Sequence, residues 1–196
     1  MRQILAILAI TTGIALASGH AAAHSFKVGA MIPLSGPSAA AGRQWLDGFL
    51  LATRERDAHP DQHSDGHLGG LDVYVLAVDA TLSAVKTLVA ADQPEVLAGF
   101  APAELLAEIR PWLVDRPTIL IEQGAESPPE SGDRKTMDGG SFRAAFEADY
   151  GYGPTGPAVL GYGVARRIAR VVRAAGGDFA DQQALLRAAF DTTGSQ

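Results

Sequence analysis

Aspartate and histidine alternate at every second position from 57 to 67: Asp57, His59, Asp61, His63, Asp65 and His67. Three of the chain's five histidines fall in this one stretch. Residues two apart share a face of an extended strand. An extended conformation would therefore gather these side chains as mixed nitrogen and oxygen ligands for a divalent cation, with His59, His63, His67, Asp61 and Asp65 as the candidate ligands. Imidazoles would suit Zn(II), Cu(II) or Ni(II). A helix would align only the three histidines, and Pro60 and Gly66 oppose one. The competing reading is a solvated polar loop, because no single ligand spacing here is diagnostic. Apart from such a metal, no cofactor is expected.

Other groupings carry less chemistry. The segment GYGPTG at 151–156 matches the dinucleotide-binding glycine pattern by letter. It follows helical rather than strand-like sequence and contains Pro154, so it does not have the required strand–turn–helix context. His24 would follow the expected cleavage site, where its imidazole and a free amine could chelate copper, although a chain end is more simply a frayed one. Arg166, Arg170 and Arg173 form a solvated helix face. No serine, histidine and acid fall in a recognisable catalytic arrangement, and no cysteine is present. Thiolate chemistry is thereby excluded, and catalysis is not expected.

The elements that must position any site follow a leader. Met1-Arg2-Gln3 is a short basic start, residues 4–17 are mostly apolar, and Ala21-Ala22-Ala23 offers small residues for cleavage. This is the three-part pattern of a secretory signal peptide, shorter than the roughly 18 to 20 apolar residues of a membrane span. Residues 1–23 are therefore expected to be removed, leaving 24–196 in the periplasm with no membrane span. The formal charge of −6 becomes −7 once Arg2 is lost with the leader. Such a balance is unsuited to nucleic acid or anionic lipid.

Beyond the leader, apolar runs at 26–34, 71–78, 96–100 and 118–121 read as strands. Helical periodicity occupies 38–57, 81–91 and 102–114 between them. Strands alternating with helices of this length imply a parallel α/β sheet. The pattern stops at 122–140, a polar stretch containing Pro128-Pro129. Helical signals then return at 141–149, 157–175 and 181–190. The expected architecture is a single doubly wound α/β sheet of about four parallel strands with additional C-terminal helices.

The segment KVGAMIPLSGPSAAAGRQWLDGFLLA resembles the N-terminal signature of the periplasmic leucine/isoleucine/valine-binding protein family. These are the substrate-binding components of ABC transporters for branched-chain amino acids and amides. HLGGLDVYVLAVDA, VLAGF and TILIEQGAESP are similar to the family's later strands and loops. FRAAFEADYGYGPTGPAVLGYGVARRIARVVRAAGG resembles its late helical region. Members of that family generally have two α/β lobes that close on a ligand. The resemblance implies that this chain keeps one lobe, with 122–140 replacing the second.

It further implies a ligand site at the carboxyl ends of the strands. The expected site residues there are Ser35, Gly36, Asp79, Phe100, Ala101, Gln123, Ala125 and Glu126. The implied partners are a small polar molecule, such as an amino acid or amide, and an ABC permease or another periplasmic protein. Ala101, Pro102 and Ala103 stand where the family offers hydroxyls, and Glu126 would repel a carboxylate. Binding is accordingly expected to be weak or partner-dependent. A lobe stripped of its companion would also expose surface suited to a partner chain or homodimer.

Overall fold

The computed structural model describes residues 25–55, 63–121 and 141–176. The expected leader, the 122–140 connection and the helix expected at 181–190 lie outside these residues. In chain order the elements are β1 (Ser25–Ile32), α1 (Ala39–Arg54), β2 (His67–Leu68), β3 (Leu71–Asp79) and α2 (Leu82–Asp92). They continue as β4 (Val96–Gly99), α3 (Ala103–Leu113), β5 (Ile119–Leu120), α4 (Phe142–Tyr150) and α5 (Gly156–Ala174).

The strands form one sheet in the order β2-β3-β1-β4-β5. β1 pairs in parallel with β3 on one side and with β4 on the other, and β4 pairs in parallel with β5. The sheet thus holds five described strands where about four were expected. The addition is β2, an antiparallel edge strand whose residues His67 and Leu68 face Asp72 and Leu71. Gly69 and Gly70 form its two-residue turn with φ of 69° and 99°. Positive φ at both central residues is the geometry of a type I′ hairpin turn, which glycine adopts without strain. β1 stops at Ile32, short of the expected 34, because Pro33 has no N–H to extend the ladder.

Alternation along the central strands supplies two cores. Phe26, Val28, Ala30 and Ile32 of β1 pack with α1, α4 and α5 on one face. Met31 of β1 and Leu97 of β4 join Val85, Leu88 and Ile109 of α2 and α3 on the other. Helices therefore cover both faces, which is why the parallel strands read as nearly continuous apolar runs. The first core is the larger and the more aromatic. Trp45 and Phe49 stack at 5.2 Å, and the Phe142 and Tyr162 rings lie 4.7 Å apart. Burying each such side chain is worth about 1.5 to 3 kcal/mol.

Two glycines set how closely α1 and α5 approach. A Cβ on Gly48 would lie 2.0 Å from the Ala158 carbonyl oxygen, and one on Gly161 would lie 1.9 Å from that of Trp45. Gln44 then ties α1 to the 151–155 loop, its Oε1 accepting from the Thr155 N–H at 3.0 Å. Its amide nitrogen donates to the Gly153 carbonyl at 3.4 Å. The Tyr152 hydroxyl also bonds Asp47 of α1. The GYGPTG letters are therefore a helix-to-helix connection, with Gly151 closing α4 at φ 74°.

Gly161→Val is expected to lower the urea midpoint, since an overpacked contact of this kind costs about 1 to 3 kcal/mol or more. Gly153→Ala is the control. Its new Cβ meets only the ends of the Arg143 and Glu147 side chains at 3.4 Å, so it should stay within about 0.5 kcal/mol of the parent.

Three tyrosines give the fold an alkaline limit. Burial, assisted by the Asp47 hydrogen bond at Tyr152, raises Tyr150 and Tyr152 from 10.0 to about 12. Burial and the hydrogen bond to Glu55 raise Tyr162 further still. Below about pH 10 these phenols are protonated in both folded and unfolded chains, and their contribution to stability is complete. Above it the unfolded chain ionises first, so stability should fall progressively as the pH rises toward and through 12. Melting temperature followed from about pH 9 to 12, alongside tyrosinate absorbance, checks this.

Candidate functional site

β1 lies between β3 and β4, so the connection after β1 runs to one side of it and the connection after β3 crosses to the other. Such a switch point leaves a crevice outside the carboxyl ends of the strands. A cavity of about 390 Å³ occupies it. Pro33, Ser35 and Ser38 line it from the exit of β1, Asp79, Ala80 and Thr81 from that of β3, and Phe100, Ala101 and Pro102 from that of β4.

Close backbone approach brings these loops together. A Cβ on Gly99 would lie 2.0 Å from the Met31 carbonyl oxygen, and one on Gly42 would lie 2.1 Å from that of Pro33. The first contact draws the end of β4 against β1. The second seats the start of α1 on the chain leaving β1. Between them the Ser35-Gly36-Pro37 turn reverses the chain, with Gly36 at φ 71°.

Hydrogen bonds then fix the loop ends. The Leu34 N–H donates to Asp79 Oδ1 at 2.9 Å, bracing the β1 exit from β3. The Ala80 N–H donates to the Ile32 carbonyl at 3.0 Å and the Phe100 N–H to that of Met31 at 2.9 Å. The Thr81 N–H donates to the Asp79 carbonyl at 2.7 Å. The Thr81 hydroxyl caps α2 by accepting from the Ala84 N–H at 3.4 Å.

Four of the expected ligand residues, Ser35, Asp79, Phe100 and Ala101, come together around this cavity. Gly36 shapes the adjoining turn without lining it. Gln123, Ala125 and Glu126 lie outside the described residues. Ser38 and Thr81 were not anticipated as lining residues. Both are helix N-cap residues, and a Ser or Thr before a periodic apolar run is visible in sequence. In a parallel α/β sheet, helices that follow strands begin at this same edge.

The described part of the aspartate–histidine stretch, residues 63–67, sits elsewhere, where β2 and the start of β3 form the opposite edge of the sheet. His59 and Asp61 lie outside the described residues. Residues 63–65 form a bend, and Gly66 turns the chain at φ 116°, so the alternating pattern is not extended over 63–66. Asp65 Oδ2 accepts the Val75 N–H at 2.7 Å and supplies an edge partner to β3. Its own N–H donates to the Val73 carbonyl at 2.9 Å. His67 Nε2 lies 2.9 Å from Asp72 Oδ1, its cross-strand neighbour. Among the described residues, no three potential metal ligands come together.

No family model and no curated protein matches the chain. Solved structures do resemble it. One is a solute-binding protein of an ABC transporter from R. palustris, in complex with benzoate. It superposes with a TM-score of 0.64 at 15% identity, over 85% of each chain. A second, the solute-binding protein of an ABC transporter from Rhodopseudomonas palustris BisB5, holds 3,4-dihydroxybenzoic acid. Its TM-score is 0.52 at 12% identity, again over 85% of each chain. The chain therefore has the α/β fold of these ABC-transporter solute-binding proteins, the fold that the sequence resemblance implies. No helix among the described residues is long and apolar enough to cross a membrane.

Asp65→Ala discriminates a strand cap from a solvent-facing metal ligand. Loss of the Val75 cap is expected to reduce metal-free stability by about 1.5 kcal/mol, the order of one hydrogen bond to a charged group. Urea unfolding in EDTA measures it, and an unchanged midpoint would assign the carboxylate no structural role.

Proposed function

We propose that the chain is an exported, non-catalytic solute-binding protein that captures a small molecule at the carboxyl edge of its sheet for ABC-type uptake. The observation that carries this reading is the cavity at the switch point. It is lined by residues from three successive strand ends, in a fold whose solved neighbours hold small molecules. Its volume lies in the range of small-molecule sites, about 300 to 1,000 Å³. Four residues expected from sequence meet there, and none forms a nucleophile–base pair with another.

In this reading residues 1–23 direct export to the periplasm, and residues 24–196 act as one lobe with 122–140 in place of a second. A ligand held from one side keeps part of its surface in water, so affinity is modest unless a permease or another periplasmic protein covers it. The benzoate and dihydroxybenzoate of the neighbours extend the ligand classes to be tried beyond amino acids and amides.

Thermal melting of the EDTA-treated protein against amino acids, amides, amines and aromatic acids tests the proposal. A ligand at 100 times its dissociation constant should add about 2.7 kcal/mol of stability. That corresponds to several degrees for a domain of about this size. A cooperative melt that no compound moves would overturn solute capture by this chain.

A further inference from the structure

Resting on the reading of this cavity as the solute site, we infer that it selects a small organic cation, an amine with an apolar body, over a carboxylate. Among the described residues that line it, Asp79 is the charged one, and none is a lysine, arginine or histidine. Asp79 Oδ1 is engaged by the Leu34 N–H, whereas Oδ2 accepts no hydrogen bond among the described residues. One oxygen of this lining carboxylate is therefore left as a strong acceptor. A ligand ammonium would give it a charge-assisted hydrogen bond, whereas a ligand carboxylate would meet like charge.

Part of the main-chain donor set that could hold an anion at such an edge is already occupied. The N–H groups of Leu34, Ala80, Thr81 and Phe100 all donate within the protein. Pro102 has no N–H to offer. Helix N-termini attract anions in general, and here the chain answers part of that attraction itself. Thr81 takes the Ala84 N–H of α2, the Gly36 carbonyl takes the Ala39 N–H of α1, and Glu104 places a carboxylate in the first turn of α3.

The remaining walls suit the rest of such a ligand. Phe100 adds an aromatic residue to the lining, and aromatic faces attract cations, while Pro33, Ala101 and Pro102 add apolar surface. The hydroxyls of Ser35 and Ser38 can accept from further ammonium protons. The cavity thus combines an acid, hydroxyl acceptors and an apolar wall.

Benzylamine, benzyl alcohol and benzoate share one ring and one reach and differ in the charge they present. Calorimetric titration of the full-length mature chain with each is the test. Benzylamine should bind at least about tenfold more tightly than the other two, the scale of one charge-assisted hydrogen bond. Asp79→Asn keeps an acceptor for the Leu34 N–H while removing the charge, and should erase that preference. Raising ionic strength should weaken benzylamine alone in the unsubstituted protein, a readout that does not depend on how the variant folds. Tighter benzoate, or equal amine and alcohol, would overturn the selectivity and leave solute binding standing. If amino acids or amides shift the melt and benzylamine does not bind, the inference also fails by itself. Silence from every compound would overturn both.

Discussion

The carbonyl oxygens of Trp45 and Ala158 occupy the positions that side chains at 161 and 48 would need. This reciprocal contact is the constraint from which much of the structure follows. It joins α1, in the segment before 122–140, to α5, in the segment after it. With backbones this close, Trp45, Phe49, Phe142 and Tyr162 fill the space between two helices and one sheet face. The same helix that carries Gly48 carries Gly42, seated against the Pro33 carbonyl. Fixing α1 against α5 therefore also fixes where α1 begins, and with it Ser38 at the rim of the cavity. Packing in the core and position at the site are linked through one rigid helix.

The crevice is built almost entirely from main-chain bonds between neighbouring loops. β1 contributes two carbonyls and β3 one carboxylate, and together they hold the exits of three strands in register. This construction has a chemical consequence, because an N–H that organises a loop is not available to a ligand. Among the described residues, the groups left over include one carboxylate oxygen, the hydroxyls of Ser35 and Ser38 and an apolar wall. In a chain of net charge −6, the long-range field acts in the same direction as Asp79 and favours cations over anions.

The sheet and its helices were legible because a parallel sheet buried on both faces writes long apolar runs, and amphipathic helices write a 3.6-residue period. β1, β3, β4 and β5 and all five described helices fall where those signals lie. β2 escaped notice because two residues are too few for any period. Its one local signal was the Gly69-Gly70 pair, which reads equally well as an ordinary loop. At the site, the strand ends pointed to Ser35, Asp79, Phe100 and Ala101, since topology alone directs ligands there. Ser38 and Thr81 were hidden by their place at helix N-termini. Which N–H groups are occupied could not be read at all, because it depends on contacts such as Leu34 with Asp79, 45 positions apart.

The aspartate–histidine stretch shows why alternation in sequence is not alternation in space. A period of two aligns side chains only while the backbone stays extended. Gly66, at φ 116°, breaks that condition between Asp65 and His67. Its missing Cβ lets the chain pass against the carbonyl of buried Thr53, whose hydroxyl in turn reaches the carbonyls of Leu50 and Asp65. The turn is thus held by the end of α1. It sends the Asp65 carboxylate to the N–H of Val75 and His67 to Asp72 across the hairpin. Both side chains serve to finish an exposed sheet edge, where an unpaired N–H would otherwise invite another strand. An acid and an imidazole close in sequence can therefore arise from the needs of a strand edge, and their chemistry is decided by the backbone that aims them.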